Sequence, residues 1–280
     1  MRVFISADIE GVTGVVSWSQ CGRPDGEHYD FRWARERMTG DVNAAIRGAR
    51  AAGATEVVVK DSHGNSKNLL VDQLEPGARL ISGHGARLGG MMAGLDRTFG
   101  AALLIGYHAM AGTEGGILEH TISGWVHRMW INGMPAGEIA LSTALAGCFG
   151  VPVVTVSSDE AGCDEAARLI PGVRTAATKT GYGRYMGLLR HPSETAPLIE
   201  EAARGGVEAA PEIAPWLPDL PATVRIEANR SEEADVAAKA PGVRRLDAYT
   251  LEYTADSWAE AYQGASMILA LGLLGRNADR

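Results

Sequence analysis

The sequence predicts an α/β protein: a doubly wound, mostly parallel sheet with a smaller C-terminal α+β unit. Three observations predict it. Val3-Phe4-Ile5, Val57-Val58-Val59 and Ala101 to Ile105 are short unbroken apolar runs, the pattern of strands covered on both faces. Segments with helical apolar spacing alternate with such runs, as in consecutive βα units. Beyond about Arg190 the rhythm stops, and Pro211, Pro215, Pro218 and Pro221 punctuate a loop.

Taken in order, the first strand ends at Asp8-Ile9-Glu10-Gly11. Phe31 to Ala52 reads as a helix with Trp33, Met38, Val42, Ala45, Ile46 and Ala49 on one face, and Gly53 ends it. Thr55 to Lys60 is a buried strand, Arg79 to Gly83 a short one, and Leu88 to Leu95 a short helix. After the Ala101 to Ile105 strand, Trp125 to Ile131 alternates in polarity up to Asn132-Gly133, a hairpin turn pair tolerant of positive φ. A helix from Glu138 to Phe149 is expected to stop near Gly150, followed by a strand (Val153 to Ser157), a helix (Glu160 to Leu169) and a strand (Arg174 to Lys179). The last part reads as a helix (His191 to Gly205), a strand (Thr223 to Ala228), a helix (Glu232 to Ala238), a strand (Ala248 to Tyr253) and a helix (Ser257 to Leu274). The expected division is 1–190 as the α/β domain and 191–280 as the smaller unit packed on it.

Composition narrows the function. The 26 basic against 34 acidic residues give a net charge of −8 with no basic stripe, which disfavours nucleic acid as a partner. Cys21, Cys148 and Cys163 are odd in number and form no CxxC pair, so a reduced, cytoplasmic setting is expected. Asp8 and Glu10 interrupt the first apolar run, which is too short for a signal peptide, and Ala265 to Leu274 is too short to span a bilayer. No membrane partner is expected.

Three strand-like runs each deliver metal-binding side chains as they finish: Asp8 and Glu10, then His63 in Asp61-Ser62-His63-Gly64, then His108 in Gly106-Tyr107-His108. In an open parallel sheet, the loops at the carboxyl ends of strands form the ligand crevice. Asp8 and Glu10, two apart on an extended chain, point to one side and repel unless a cation lies between them. A lone D-x-E more often begins a solvated loop, and a lone histidine is more often a hydrogen-bonded loop residue; coincidence across three strands is harder to explain so. Glu138 opens a helix, where capping the dipole is the competing role. Three carboxylates and two imidazoles suit zinc, yet exceed what one catalytic zinc uses while keeping a position open for water. Shared between two Zn2+ ions they are reasonable, and such pairs sit about 3.5–4 Å apart. There is no HExxH.

Ser6-Ala7-Asp8-Ile9-Glu10-Gly11, followed by Asp61-Ser62-His63, Gly106-Tyr107-His108, Glu119-His120 and Gly137-Glu138, resembles the signature of the DppA-like D-aminopeptidase family, the M55 metallopeptidases. The resemblance runs over essentially the whole chain. It implies a binuclear zinc aminopeptidase whose metal ligands are Asp8, Glu10, His63, His108 and Glu138 and whose catalytic histidine falls on His120. It also implies a homo-oligomer, a ring-shaped homodecamer. The glycine-rich stretch Gly112 to Gly116 blurs the alignment around His120, and His84 stands where the family often carries another residue.

The function expected is therefore zinc-dependent hydrolysis of the N-terminal residue, in D configuration by resemblance, from short peptides or amino-acid amides. A metal-activated water would attack and His120 would carry the proton. Asp61 is read as support for a ligand, and Lys179 as a solvated lysine or a contact to a substrate carboxylate. Two alternatives stay open: a non-catalytic metal- or peptide-binding protein linked to peptide uptake, and a binuclear metallohydrolase acting on another amide or ester.

Overall fold

The computed structural model describes residues 1–22, 29–84 and 89–276. In chain order the elements are β1 (Arg2–Ala7), α1 (Tyr29–Ala51), β2 (Glu56–Asp61), β3 (Arg79–Ile81), β4 (Ala101–Ile105), β5 (Val126–Ile131), β6 (Met134–Pro135), α2 (Glu138–Cys148), β7 (Val153–Ser158) and α3 (Glu160–Leu169). Then come β8 (Arg174–Ala177), β9 (Lys179–Gly183), β10 (Met186–Leu189), α4 (Pro192–Glu208), β11 (Ala222–Ala228), α5 (Ser231–Ala237), β12 (Arg244–Arg245), β13 (Thr250–Ala255) and α6 (Trp258–Gly275).

Six strands form one sheet in the order β3-β2-β1-β4-β7-β8, every pair parallel. The apolar runs of β1, β2 and β4 are buried along their lengths, as expected of strands covered on both faces. From β1 the chain builds outward to β2 and β3, then returns to place β4 on the other side of β1. That reversal opens a crevice between the carboxyl ends of β1 and β4.

The second sheet is antiparallel, ordered β12-β13-β11-β5-β6. Burial alternates along β11, and the covered face meets α6. The Asn132-Gly133 turn joins β5 to β6 with φ of 49° and 81°. This sheet crosses the expected division at residue 190, because β5 and β6 come from before it and the other strands from after. Helix α4, beyond residue 190, packs instead on α1, where Arg47 Nε lies 2.9 Å from Glu200 Oε2.

Two expected elements differ. Of Leu88 to Leu95, Leu88 lies outside the described residues, and the rest holds a single 3-10 turn at Gly90–Met92. Gly89, Gly90 and Gly94 take positive φ (122°, 46° and 102°), which an α-helix does not accommodate. The strand expected over Arg174 to Lys179 breaks at Thr178. β8 closes the parallel sheet, whereas β9 pairs with β10 as a separate two-stranded ribbon.

Candidate active site

Because β1 lies between β2 and β4, the segments that follow these three strands meet at one edge of the sheet. Asp8 and Glu10 leave β1, His63 leaves β2 and His108 leaves β4. Gly11 makes this possible, since a Cβ there would stand 1.7 Å from Tyr107 O. Glu138 arrives from above as the first residue of α2. Its Oε1 accepts the Ile122 backbone N–H at 2.5 Å and lies 3.2 Å from His108 Nε2 and 3.6 Å from His120 Nε2. The Glu138 carboxylate thus turns into the crevice instead of capping its own helix.

His63 Nε2 is 3.3 Å from Glu10 Oε1, and His108 Nε2 is 3.6 Å from Asp8 Oδ2. Ligand atoms of Asp8, Glu10 and His108 lie within 4.8 Å of one another, and so do those of His108, His120 and Glu138. Asp8 Oδ2, Glu10 Oε2 and His108 Nε2 are shielded from solvent and make no hydrogen bond. Orphaned atoms of this kind are costly unless something else satisfies them. They share one crevice, and carboxylate oxygen with imidazole nitrogen is the donor set of zinc. The residues fit a metal centre.

The ring orientations suit the same purpose. His108 Nδ1 is 2.9 Å from Ala109 O and His120 Nδ1 is 2.9 Å from Leu118 O. A carbonyl only accepts, so Nδ1 carries the hydrogen, and each ring when neutral presents the Nε2 lone pair to the crevice. The two rings stack at 4.1 Å, and the edge of Trp18 meets His120 at 5.2 Å. Leu118 and Ile122, on either side of His120, hold φ of 55° and 60°, a strained conformation that a tightly constrained loop can impose.

A sequence profile of the D-aminopeptidase family (peptidase family M55) matches residues 1–267. The chain belongs to the D-aminopeptidase family. It is 33% identical over 279 residues to the D-aminopeptidase of Bacillus subtilis strain 168, spanning 98% of each protein. Its fold superposes with a TM-score of 0.92, over 98% of each chain, on a structure described as the Zn-dependent D-aminopeptidase DppA from Bacillus subtilis, a self-compartmentalizing protease.

Protonation in this family member follows the crowding of charge. Burial raises Asp8 well above the usual carboxylate range, reinforced by the negative charges of Glu10 and Glu138. Burial acts the same way on Glu10 and Glu138, but the neighbouring imidazoles outweigh it and hold both below that range. Burial would lower His63, yet Glu10 pushes it up to about 9, and His108 is likewise raised against burial by Glu138. His120 goes the other way, lowered by burial and by His108, so its lone pair stays available. Protons on His63 and His108 occupy the electrostatic role that a bound dication would take over.

Around the crevice lie hydroxyls to which the sequence assigned no role. Ser62 Oγ, Ser6 Oγ, Tyr107 OH and Ser142 Oγ form a hydroxyl chain with steps of 2.7, 2.7 and 3.1 Å, and Ser62 Oγ also donates to Met91 O at 2.7 Å. Each hydroxyl comes from a segment that also bears a metal-binding side chain, so the chain ties Asp8, His63, His108 and Glu138 together from beneath. The Asp61 carboxylate accepts from Asn68 N, Leu69 N and Asn68 Nδ2, while Asn68 Oδ1 lies 3.3 Å from His63 Nδ1. Support, as expected of Asp61, is what these bonds provide. Lys179 is neither solvated nor a substrate contact: fully buried, its Nζ donates to Glu10 O, Val12 O and Val15 O at 2.5, 2.9 and 2.5 Å. Thr178 Oγ1 adds a bond to Gly11 O at 2.7 Å. Only a signal for non-local packing could have found Lys179; its spacing in sequence carries none. The exposed His84 joins none of the metal-binding groups, though it lines, with the crevice residues, one cavity of about 1610 Å³.

Proposed function

We propose that this chain is a zinc-dependent aminopeptidase that releases the N-terminal residue, D-configured as its relatives' names state, from short peptides or amino-acid amides. The observation that carries the reading is the set of orphaned atoms, Asp8 Oδ2, Glu10 Oε2 and His108 Nε2, facing one crevice. Asp8, Glu10, His63, His108 and Glu138 would hold two zinc ions. Bound there, zinc supplies Lewis acidity towards the scissile carbonyl and a source of hydroxide near neutral pH. His120 Nε2, in a ring fixed by Leu118 O and Trp18, accepts the proton of the attacking water and returns it to the leaving amine. The α6 side chains Ala265, Leu269 and Leu273 line the same cavity and help keep bulk water from the reacting groups.

Self-association is part of the proposal, with a homodecamer as its form. The β9–β10 ribbon exposes Tyr182, Tyr185, Met186 and Leu188, each at about 60% of its surface, an apolar arm suited to a second copy of the chain. Tyr185 also lines the active cavity and its hydroxyl accepts from Trp18 Nε1, so assembly and catalysis meet at this ribbon. Cys21, Cys148 and Cys163 are all free thiols, which supports a cytoplasmic setting. Among the described residues no helix is long and apolar enough to cross a membrane.

The test is turnover of paired D- and L-alanyl, seryl and prolyl p-nitroanilides by zinc-loaded protein, with a chelator control and native mass spectrometry for the assembly. Expected is chelator-sensitive release from the D-anilides. Activity that survives chelation would reject the metal mechanism, and equal rates on both enantiomers would remove the stereochemical preference.

A further inference from the structure

Lys60 is a buried cation on the wall of the catalytic cavity, and nothing in the mechanism above uses it. It sits in β2 opposite Ser6 of β1, and only 4% of it is exposed. Paired residues of parallel strands face the same side, so Lys60 shares the side on which Ser6 meets Tyr107 and Met91. Its Nζ donates to Asp61 O and, at 2.9 Å, to Ser66 Oγ. An ammonium has three donors, so these neutral acceptors leave one unspent. Among the described residues no carboxylate forms an ion pair with it, and the neighbouring Asp61 spends both oxygens on Asn68 and Leu69. The Lys60 head is also held in place. Ser66, at a φ of 58°, accepts at its carbonyl from Gly83 N at 2.7 Å and Ser82 Oγ at 2.8 Å.

The Asp61 carboxylate attracts this ammonium without contacting it, so an anion entering the cavity and meeting the remaining donor directly would offset the cost of its burial. The same cavity is lined by Asp8, Glu10 and Glu138 and, from the exit of β2, by Lys60, Ser62 and Ser66. One cavity thus offers both metal-binding carboxylates and a buried cation, the complement of a molecule bearing an amine and a carboxylate. We propose that Lys60 is the subsite for the free C-terminal carboxylate of a short peptide substrate. This rests on the aminopeptidase reading and narrows its substrate class to short peptides with an unblocked carboxyl end.

The experiment uses the full-length, zinc-loaded protein and three substrates: D-alanylglycine, its C-terminal amide, and D-alanine p-nitroanilide. Wild type should show a lower KM for the free acid than for the amide. Lys60→Met should raise KM for the acid about tenfold, the loss of a hydrogen bond to a charged group, and leave the amide and the anilide within about twofold. Lys60→Arg should recover part of the discrimination. Arg276, exposed elsewhere on the cavity wall, supplies the control: Arg276→Met should leave the acid preference intact. Calorimetric titration of the His120→Ala protein, with and without Lys60→Met, reads the same acid-against-amide difference without turnover. Equal effects on acid and amide, a preference that depends on Arg276, or no binding of either peptide overturns the subsite. A wild type that discriminates acid from amide already supports it should Lys60→Met fail to fold. Anilide hydrolysis without acid preference sinks the subsite alone, whereas absence of anilide and amide hydrolysis sinks the aminopeptidase reading.

Discussion

Lys179→Met should loosen the loop that carries the metal-binding carboxylates, and its cost should depend on pH in a way that identifies the cause. The ammonium satisfies three backbone carbonyls, those of Glu10, Val12 and Val15, where no water reaches. Methionine matches its length and donates nothing, so three acceptors lose their donor at about 1–3 kcal/mol each. Against this stands the penalty of burying the charge. Burial lowers Lys179 from 10.5 to about 8, only partly opposed by Asp159, Cys21 and Asp41. That shift corresponds to roughly 3 kcal/mol which methionine does not carry. A net loss centred on about 3 kcal/mol, within about 0–6 kcal/mol, is expected at pH 7. Between about 8 and 10.5 the unfolded lysine binds more protons than the folded one, so its contribution to stability rises with pH across that window. Below about 8 both forms are protonated and the penalty is constant. The gap between wild type and variant should therefore widen by up to ~3 kcal/mol on going from pH 7 to pH 10. Paired urea denaturation of the chelator-treated proteins at both pH values measures this. A gap that does not change between pH 7 and pH 10, or a variant more stable than the wild type at both, refutes the clamp.

Three further outcomes follow from the same geometry. Tyr107→Phe breaks the hydroxyl chain between Ser6 and Ser142 and should weaken zinc binding by about 10–100-fold, as loss of a supporting bond around a metal commonly does; an unchanged cobalt(II) absorption spectrum would show that the chain does not shape the site. Zinc requires neutral imidazole, and in the metal-free protein His63 keeps its proton up to about 9, so zinc affinity should fall as pH drops from 9 to 6 and binding at pH 7 should release protons, counted by calorimetry in buffers of different ionisation enthalpy. His120→Ala should keep its zinc by atomic absorption while kcat falls about 10²–10⁴-fold, and near-normal turnover with metal bound would remove His120 from proton transfer.

The sequence by itself determined the strands and the edge where chemistry gathers. Unbroken apolar runs in β1, β2 and β4 can be stable only when covered on both faces, and polar residues that follow such strands emerge at the carboxyl edge. Asp8, Glu10, His63 and His108 were legible for that reason, because hydrophobic periodicity is a local property of the chain. Glu138 was legible as a candidate ligand with helix capping as its rival role, and local spacing did not choose between them: its direction depends on Ile122 N and on the placement of α2, both set by the packed fold.

Tertiary structure alone decided the rest. Lys179 reads in sequence like any lysine ending a strand, and it is buried because folding brings three carbonyls from a loop more than 160 positions earlier within reach of its ammonium. Lys60 and the Ser6–Tyr107 contact were equally silent. The joining of β5 with β11 across the expected boundary at residue 190 was hidden for the same reason. Pairing and hydrogen bonding between distant segments minimise the free energy of the whole chain, and no window of neighbouring residues contains that information.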